Sequence, residues 1–199
     1  MPKIVDHDQY RKELLSQCLD IIAEKGYAAI TMRQIAQGLN VSTGTLYHYF
    51  PSKESLFEQL VEYISYQDTS EQMVAELINL PTIADRLNKI FQIIAQNEDY
   101  FLHQTLMLID FCRQRRRSEI NHNHVLKHAG ERYEKAVMRI LGTEDVNLVM
   151  LVLHVIEGIL IRRVYLGDRV SFTEQLPLLT ELVTHHLTTH SQFTQSENP

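Results

Sequence analysis

Hydroxyl, phenol and imidazole side chains crowd into one short stretch of this chain. From Val41 to Leu56 it reads VSTGTLYHYFPSKESL. Ser42, Thr43, Thr45, Tyr47, His48 and Tyr49 all donate or accept hydrogen bonds, and Gly44 has no side chain to hold another surface away. No nucleophile beside a base, no paired carboxylates and no phosphate loop accompany them. The chemistry open to such a set is recognition by hydrogen bonding and close approach, not bond making.

The flanking residues say how these groups are held. Val41 and Leu46 are the apolar anchors of a short helix, and Ser42 is a good N-cap whose hydroxyl accepts from a free N–H of the first turn. Pro51 stops that helix, because it disfavours helical geometry at Phe50 and lacks an N–H. Ser52 caps the next helix. Upstream, Thr31 and Gln34 have the spacing of a capping box. Ile35, Ala36 and Leu39 form one apolar face. Asn40 tolerates the left-handed backbone that a tight turn needs. The outline is a helix, a short turn and a second helix with a polar outer face, which is that of a helix-turn-helix. In such a unit the second helix enters the DNA major groove.

The run TMRQIAQGLNVSTGTLYHYFPSKESLFEQLV, after a helix ending in EKGY, resembles the DNA-binding domain of TetR-family transcriptional regulators. The likeness covers roughly the first sixty residues, and Asn40 departs from the glycine most frequent there. The resemblance implies that Arg33 and Lys53 meet phosphates. It implies that Thr43, Gly44, Thr45, His48 and Tyr49 read bases or adjacent backbone, that Tyr47 reaches a phosphate, and that Leu46 and Phe50 are core. Hydroxyls suit phosphates and base edges, and a threonine methyl can touch that of thymine. A looser likeness, IEGILIRRVYLG, falls in the penultimate helix of the regulatory domain, where the last two helices pair with a second subunit. The expected partners are a palindromic double-stranded DNA operator, a second copy of the chain and an unidentified small-molecule effector. The expected function is a repressor released from its operator by that effector. Phe101, Met107, Phe111 and Tyr133 are candidate pocket walls, with His103 and His154 as polar anchors. An apolar lining suits an apolar or aromatic ligand.

Composition bounds the rest. The chain has 199 residues and 44% apolar content, enough for a sizeable core, with scarce strand signals. It reads as all-α: an N-terminal three-helix helix-turn-helix domain, then a helical regulatory and dimerisation domain. The expected boundaries are 1–51 for the DNA-binding domain, 52–190 for the regulatory domain and 191–199 for a disordered tail. Cys18 and Cys112 form neither a disulfide framework nor a CxxC pair, which fits a reducing cytoplasm. The N-terminus carries no apolar signal region, and the apolar run Leu148 to Ile161 is too short to span a bilayer.

The net charge of −6 is unusual for a DNA-binding protein. Residues 1–66 hold Lys3, Arg11, Lys12, Lys25, Arg33 and Lys53 against Asp6, Asp8, Glu13, Asp20, Glu24, Glu54, Glu58 and Glu62. Few phosphate ion pairs and a modest salt dependence follow. The basic run Arg113 to Arg117 reads as a solvated connector in the half of the molecule away from DNA.

Further helices are predicted over 82–96, 99–113, 118–141 and 144–166, with a last one after Ser171 whose start Pro177 shifts or kinks. The stretch 66–80 reads as a helix end and a loop. His122, His124 and His128, and His185, His186 and His190, include i, i+4 pairs that could share a metal, though without a supporting carboxylate or cysteine. Surface histidines are the plainer reading, with no metal and no cofactor. A metal-responsive regulator and a small helical enzyme are the alternatives.

Overall fold

The computed structural model describes residues 6–195. Among them the regular structure is helical throughout, as expected, with no strand.

Local chemistry sets the first four helices. α1, His7–Lys25, is capped by Asp6, which accepts from the N–H groups of Asp8 and Gln9, and it ends at Gly26 with φ 77°. α2, Met32–Gly38, begins with the complete Thr31–Gln34 capping box. α3, Thr43–Tyr49, begins at Ser42, whose hydroxyl accepts from Thr45 N–H at 2.9 Å. Between them Asn40 has φ 54°, alone in positive φ among the described non-glycine residues. α4, Lys53–Asp68, follows Ser52, which accepts from Ser55 N–H. Gly38 lets α2 close on α1, because a Cβ there would meet Ile21 at 3.0 Å.

The chain forms two compact units that are not sequential. The first holds the described residues to Asp68 together with Asp99–Gly130, and the second holds Thr69–Glu98 with the described residues from Glu131 onward. The break at residue 51 expected from the sequence lies inside the first unit. Leu56, Phe57 and Leu60 of α4, and Met107 and Phe111 of α7, Glu98–Arg113, share one core with Ile22, Ile35, Leu46 and Phe50. Burying such side chains stabilises by about 1.5–3 kcal/mol each.

Several predicted elements need correction. A helix α5, Glu71–Ile78, stands where a loop is predicted; Ser70 caps it, and Val74 and Leu77 bury one side while its polar residues face water. α6, Ile83–Gln96, is capped by Thr82, whose hydroxyl accepts from Asp85 N–H. The single helix predicted over 118–141 is broken into α8, Arg117–Asn121, and α9, His124–Leu141. Asn123 makes the break, accepting from Leu126 N–H at 3.0 Å and donating to Glu58 at 3.1 Å. α10, Val146–Leu166, starts two residues later than predicted and is capped by Asp145, whose own N–H donates to the Thr143 hydroxyl.

A 3-10 turn, Gly167–Arg169, follows α10. α11, Leu176–Gln195, starts one residue before Pro177, where the missing N–H leaves no helical bond unmade. Ser171 accepts from Thr173 N–H and does not cap this helix. Residues 191–195 of the expected tail belong to α11, and 196–199 lie outside the described residues. In the second unit Arg163 ties α10 to Glu98, to Asp168 and to the Val170 carbonyl, and Arg86 donates to the carbonyls of Leu80 and Ile140.

Candidate nucleic-acid interface

Helix α3 has two unlike sides. Leu46 and Tyr49 are buried, while Gly44, Tyr47 and His48 are exposed, Tyr47 at 48%. Thr43 and Thr45 are half-buried at the edge of that face, and the Thr45 and Ser42 hydroxyls share a hydrogen bond of 2.8 Å. A Cβ on Gly44 would meet only Ser42 Oγ, at 3.7 Å. The fold therefore does not need this glycine. Its effect is to leave bare backbone on the exposed face, where another molecule can come close.

Arg33 is exposed in the first turn of α2 and forms no ion pair or hydrogen bond among the described residues. Its guanidinium is free to meet an anion. Of the eight expected residues, Thr43, Gly44, Thr45, Tyr47 and His48 thus stand at or beside one open face of α3, and Arg33 is exposed on α2.

The other two differ from expectation. Tyr49 is only 8% exposed and belongs to the core, with its ring 5.4 Å from that of Tyr10. Its hydroxyl meets Nδ1 of His7 at 2.8 Å. Lys53 spends its ammonium protons inside the unit, on the carbonyls of Tyr27 at 2.8 Å, Ile30 at 3.0 Å and Ala28 at 3.4 Å. It also lies 4.7 Å over the Tyr27 ring, and partial burial lowers its pKa. Its nitrogen pins the α1–α2 loop to the start of α4. His7 is an addition that the sequence did not flag. Its ring lies 6.0 Å from that of His48, and only packing across 40 intervening residues reveals it.

The expected ligand residues are divided between the two units. Met107 and Phe111 are buried in the core of the first unit, Phe101 is half-buried, and His103 meets Asp20 at 3.0 Å. Tyr133 belongs to the second unit, and His154 is exposed on α10. The second unit has a cavity of about 230 Å³ lined by Met73, Leu77, Leu80, Lys89 and Ile93, among others, none of which the sequence singled out.

Among the histidines, His124 and His128 have their rings 6.1 Å apart. His122 meets the Ser118 carbonyl, and His186 meets Asp145. The side chain of His190 lies outside the described residues. Among the described residues no group of three or more His, Cys, Asp or Glu is placed to hold a metal ion. Burial pushes the Cys18 thiol up to about 12, so it is no nucleophile. No described helix is long and apolar enough to cross a membrane.

A capped helix, a turn through a left-handed asparagine and a second helix with one open polar face define a helix-turn-helix protein. Residues 14–60 match the family model for bacterial regulatory proteins of the tetR family. The repressor KstR2 of Mycobacterium tuberculosis is 43% identical over 51 residues, 26% of each chain. The nucleoid occlusion factor SlmA of Haemophilus ducreyi is 39% identical over 64 residues, 30% of this chain and 32% of that one. The chain thus spans about a quarter to a third of the length of these relatives. The crystal structure of FadR from Bacillus subtilis with stearoyl-CoA superposes with a TM-score of 0.69 at 20% identity, over 87% of this chain and 97% of that one. That likeness shows a shared fold that takes in the C-terminal part as well.

Proposed function

We propose that the protein is a homodimeric, sequence-specific DNA-binding regulator, acting in the cytoplasm as a repressor that a small molecule releases from a palindromic operator. The observation that carries this reading is the open face of α3. Gly44, Tyr47 and His48 lie bare on it, Thr43 and Thr45 edge it, and the unpartnered Arg33 stands on the neighbouring helix. Tyr47 and Arg33 are the phosphate-binding groups, and Thr43, Thr45 and His48 meet base edges. Lys53 supports the fold of the head and reaches DNA only by giving up carbonyl partners.

A single short helix reads few base pairs, so two copies on a twofold axis are needed. The exposed stripe of α10, with Leu151, His154, Gly158, Ile161 and Tyr165 at helical spacing, supports such a pair. Leu178 and Leu182 extend the exposed apolar surface on α11, at 61% and 49%. FadR of Bacillus subtilis was crystallised with stearoyl-CoA, and by analogy the second unit here is the place for an effector.

The test is selection of bound fragments from a random pool of duplex DNA at fixed salt. Enrichment of a palindrome supports the reading. Folded, dimeric protein that enriches no sequence, with or without cell extract as a source of effector, sinks it.

A further inference from the structure

The basic run after α7 stands against the DNA-binding head, not in the other half of the molecule. Residues 99–130 belong to the same compact unit as α1 to α4. Arg115 donates to Glu54, in the first turn of α4 and next to Lys53, and its guanidinium lies 4.0 Å from the centre of the Phe111 ring. Phe111 in turn packs on Phe57 of α4 and edge-on to Tyr27 of the α1–α2 loop. The residue before Phe111 in α7, Asp110, lies so close to Gly26 that a Cβ there would come within 2.8 Å of its carboxylate. The end of α7 is thus fixed to the loop that leads into Thr31 and Arg33 and to the start of α4.

Arg115 is consumed by this anchoring, with its side chain only 18% exposed. Its neighbours are not. Arg113, Arg116 and Arg117 are exposed. Arg113 has a single carboxylate contact, Asp110 at 3.8 Å. The backbone N–H of Arg116 donates to Glu119 at 3.3 Å, and Arg117 has no ion pair among the described residues. Three exposed guanidinium groups on a fixed base suit a polyanion with regularly spaced phosphates. They also answer the charge problem of the head, where acidic residues outnumber basic ones.

We propose that Arg113, Arg116 and Arg117 form a second, sequence-independent contact with the phosphates of duplex DNA flanking each half-site. The contact rests on the proposed function, since it needs the α3 face on DNA. Arg115 is its positioning residue. The partner is the duplex that the head already holds, because the same unit carries both surfaces. An acidic protein partner or an RNA is the competing occupant.

The test uses the full chain and the fragment recovered by selection. Affinity is measured against salt for the wild type, for Arg113→Gln/Arg116→Gln/Arg117→Gln and for the corresponding triple lysine variant. In the glutamine variant the slope of log affinity against log salt should flatten by about 0.9 for each phosphate lost per site. The selected consensus should not change, and the lysine variant should keep the wild-type slope. Shortening the DNA flanks should weaken the wild type and leave the glutamine variant unaffected. A glutamine variant that melts like the wild type and keeps its slope and affinity overturns the proposal, and leaves the operator reading intact if Tyr47→Ala still loses binding. In that case retention of acidic protein or RNA by the wild type alone would reassign the surface. If the wild type selects no DNA, the operator reading fails and the flanking contact falls with it.

Discussion

Lys53 holds its ammonium group 4.7 Å over the ring of Tyr27 while donating to that residue's own carbonyl at 2.8 Å. One cation thereby gathers a loop that has few backbone bonds of its own, since the carbonyls of Ala28 and Ile30 are also turned onto it. Lys53→Ala leaves these acceptors to water and removes the cation–π contact, at a cost of about 1–2 kcal/mol. Lys53→Met keeps the stem and loses the charge, and should cost nearly as much. Urea unfolding checks both. If the two variants unfold like the wild type and lose only operator affinity, Lys53 is a phosphate ligand and its carbonyl contacts are incidental.

Gly44 separates binding from folding more cleanly. Alanine fits the space, with Ser42 Oγ at 3.7 Å as its one neighbour, and it favours helix by up to about 1 kcal/mol over glycine. Gly44→Ala should therefore melt at or slightly above the wild-type temperature and still bind its operator more weakly, because the added methyl holds the backbone off the DNA. Calorimetry and a binding titration on one preparation decide it. Unchanged affinity would remove Gly44 from the interface.

The parts of the head that could be read in advance are those decided within four residues. The Thr31–Gln34 box, the Ser42 cap and the left-handed Asn40 depend on side chains reaching their own backbone, so residue type and spacing suffice. What was not legible depends on packing between distant segments. Lys53 meets carbonyls 23 to 26 residues away, and Arg115 meets Glu54 across 61. Tyr49 and Tyr47 are equally polar in sequence, yet one is core and the other half exposed, because Tyr10 and His7 of α1 close over Tyr49 alone. Helix α5 was hidden by composition: Glu71, Gln72 and Glu76 look like a loop until Val74 and Leu77 are seen to share a buried side.

The Asp145–His186 contact predicts an acid-sensitive start to α10. His186 Nε2 lies 2.6 Å from the Asp145 carboxylate, which also accepts from Asn147 and Leu148 N–H. The bond from His186 first, and then the one from Leu148 N–H, holds this carboxyl below its ordinary value of 3.8. A depressed folded pKa means the unfolded chain takes up the proton more readily. The contribution is complete above the ordinary value and is lost as pH falls through the lowered one. Asp145→Asn retains a cap but not the charge. Its melting temperature should lie below that of the wild type at pH 6, and the gap should close toward pH 3. A gap that does not change with pH would assign the residue's effect to capping alone.

The exposed stripe on α10 carries the prediction for assembly. Leu151, Ile161 and Tyr165 are exposed at 39%, 40% and 62% in the single chain, and Gly158 sits among them with nothing within 4 Å of its would-be Cβ. A monomer would leave this surface in water, and a twofold pair would bury it twice and let the two α10 backbones approach at Gly158. Ile161→Arg places two like charges across such an axis without touching the core, so the fold should persist and the pair should separate. Sedimentation should report a monomer with an unchanged helical spectrum. Operator affinity should fall far more than affinity for an isolated half-site, because each head still reads its few base pairs but the two no longer bind as one. A variant that remains dimeric would move the interface off α10, and one that is monomeric yet binds the full operator normally would mean that the heads act independently.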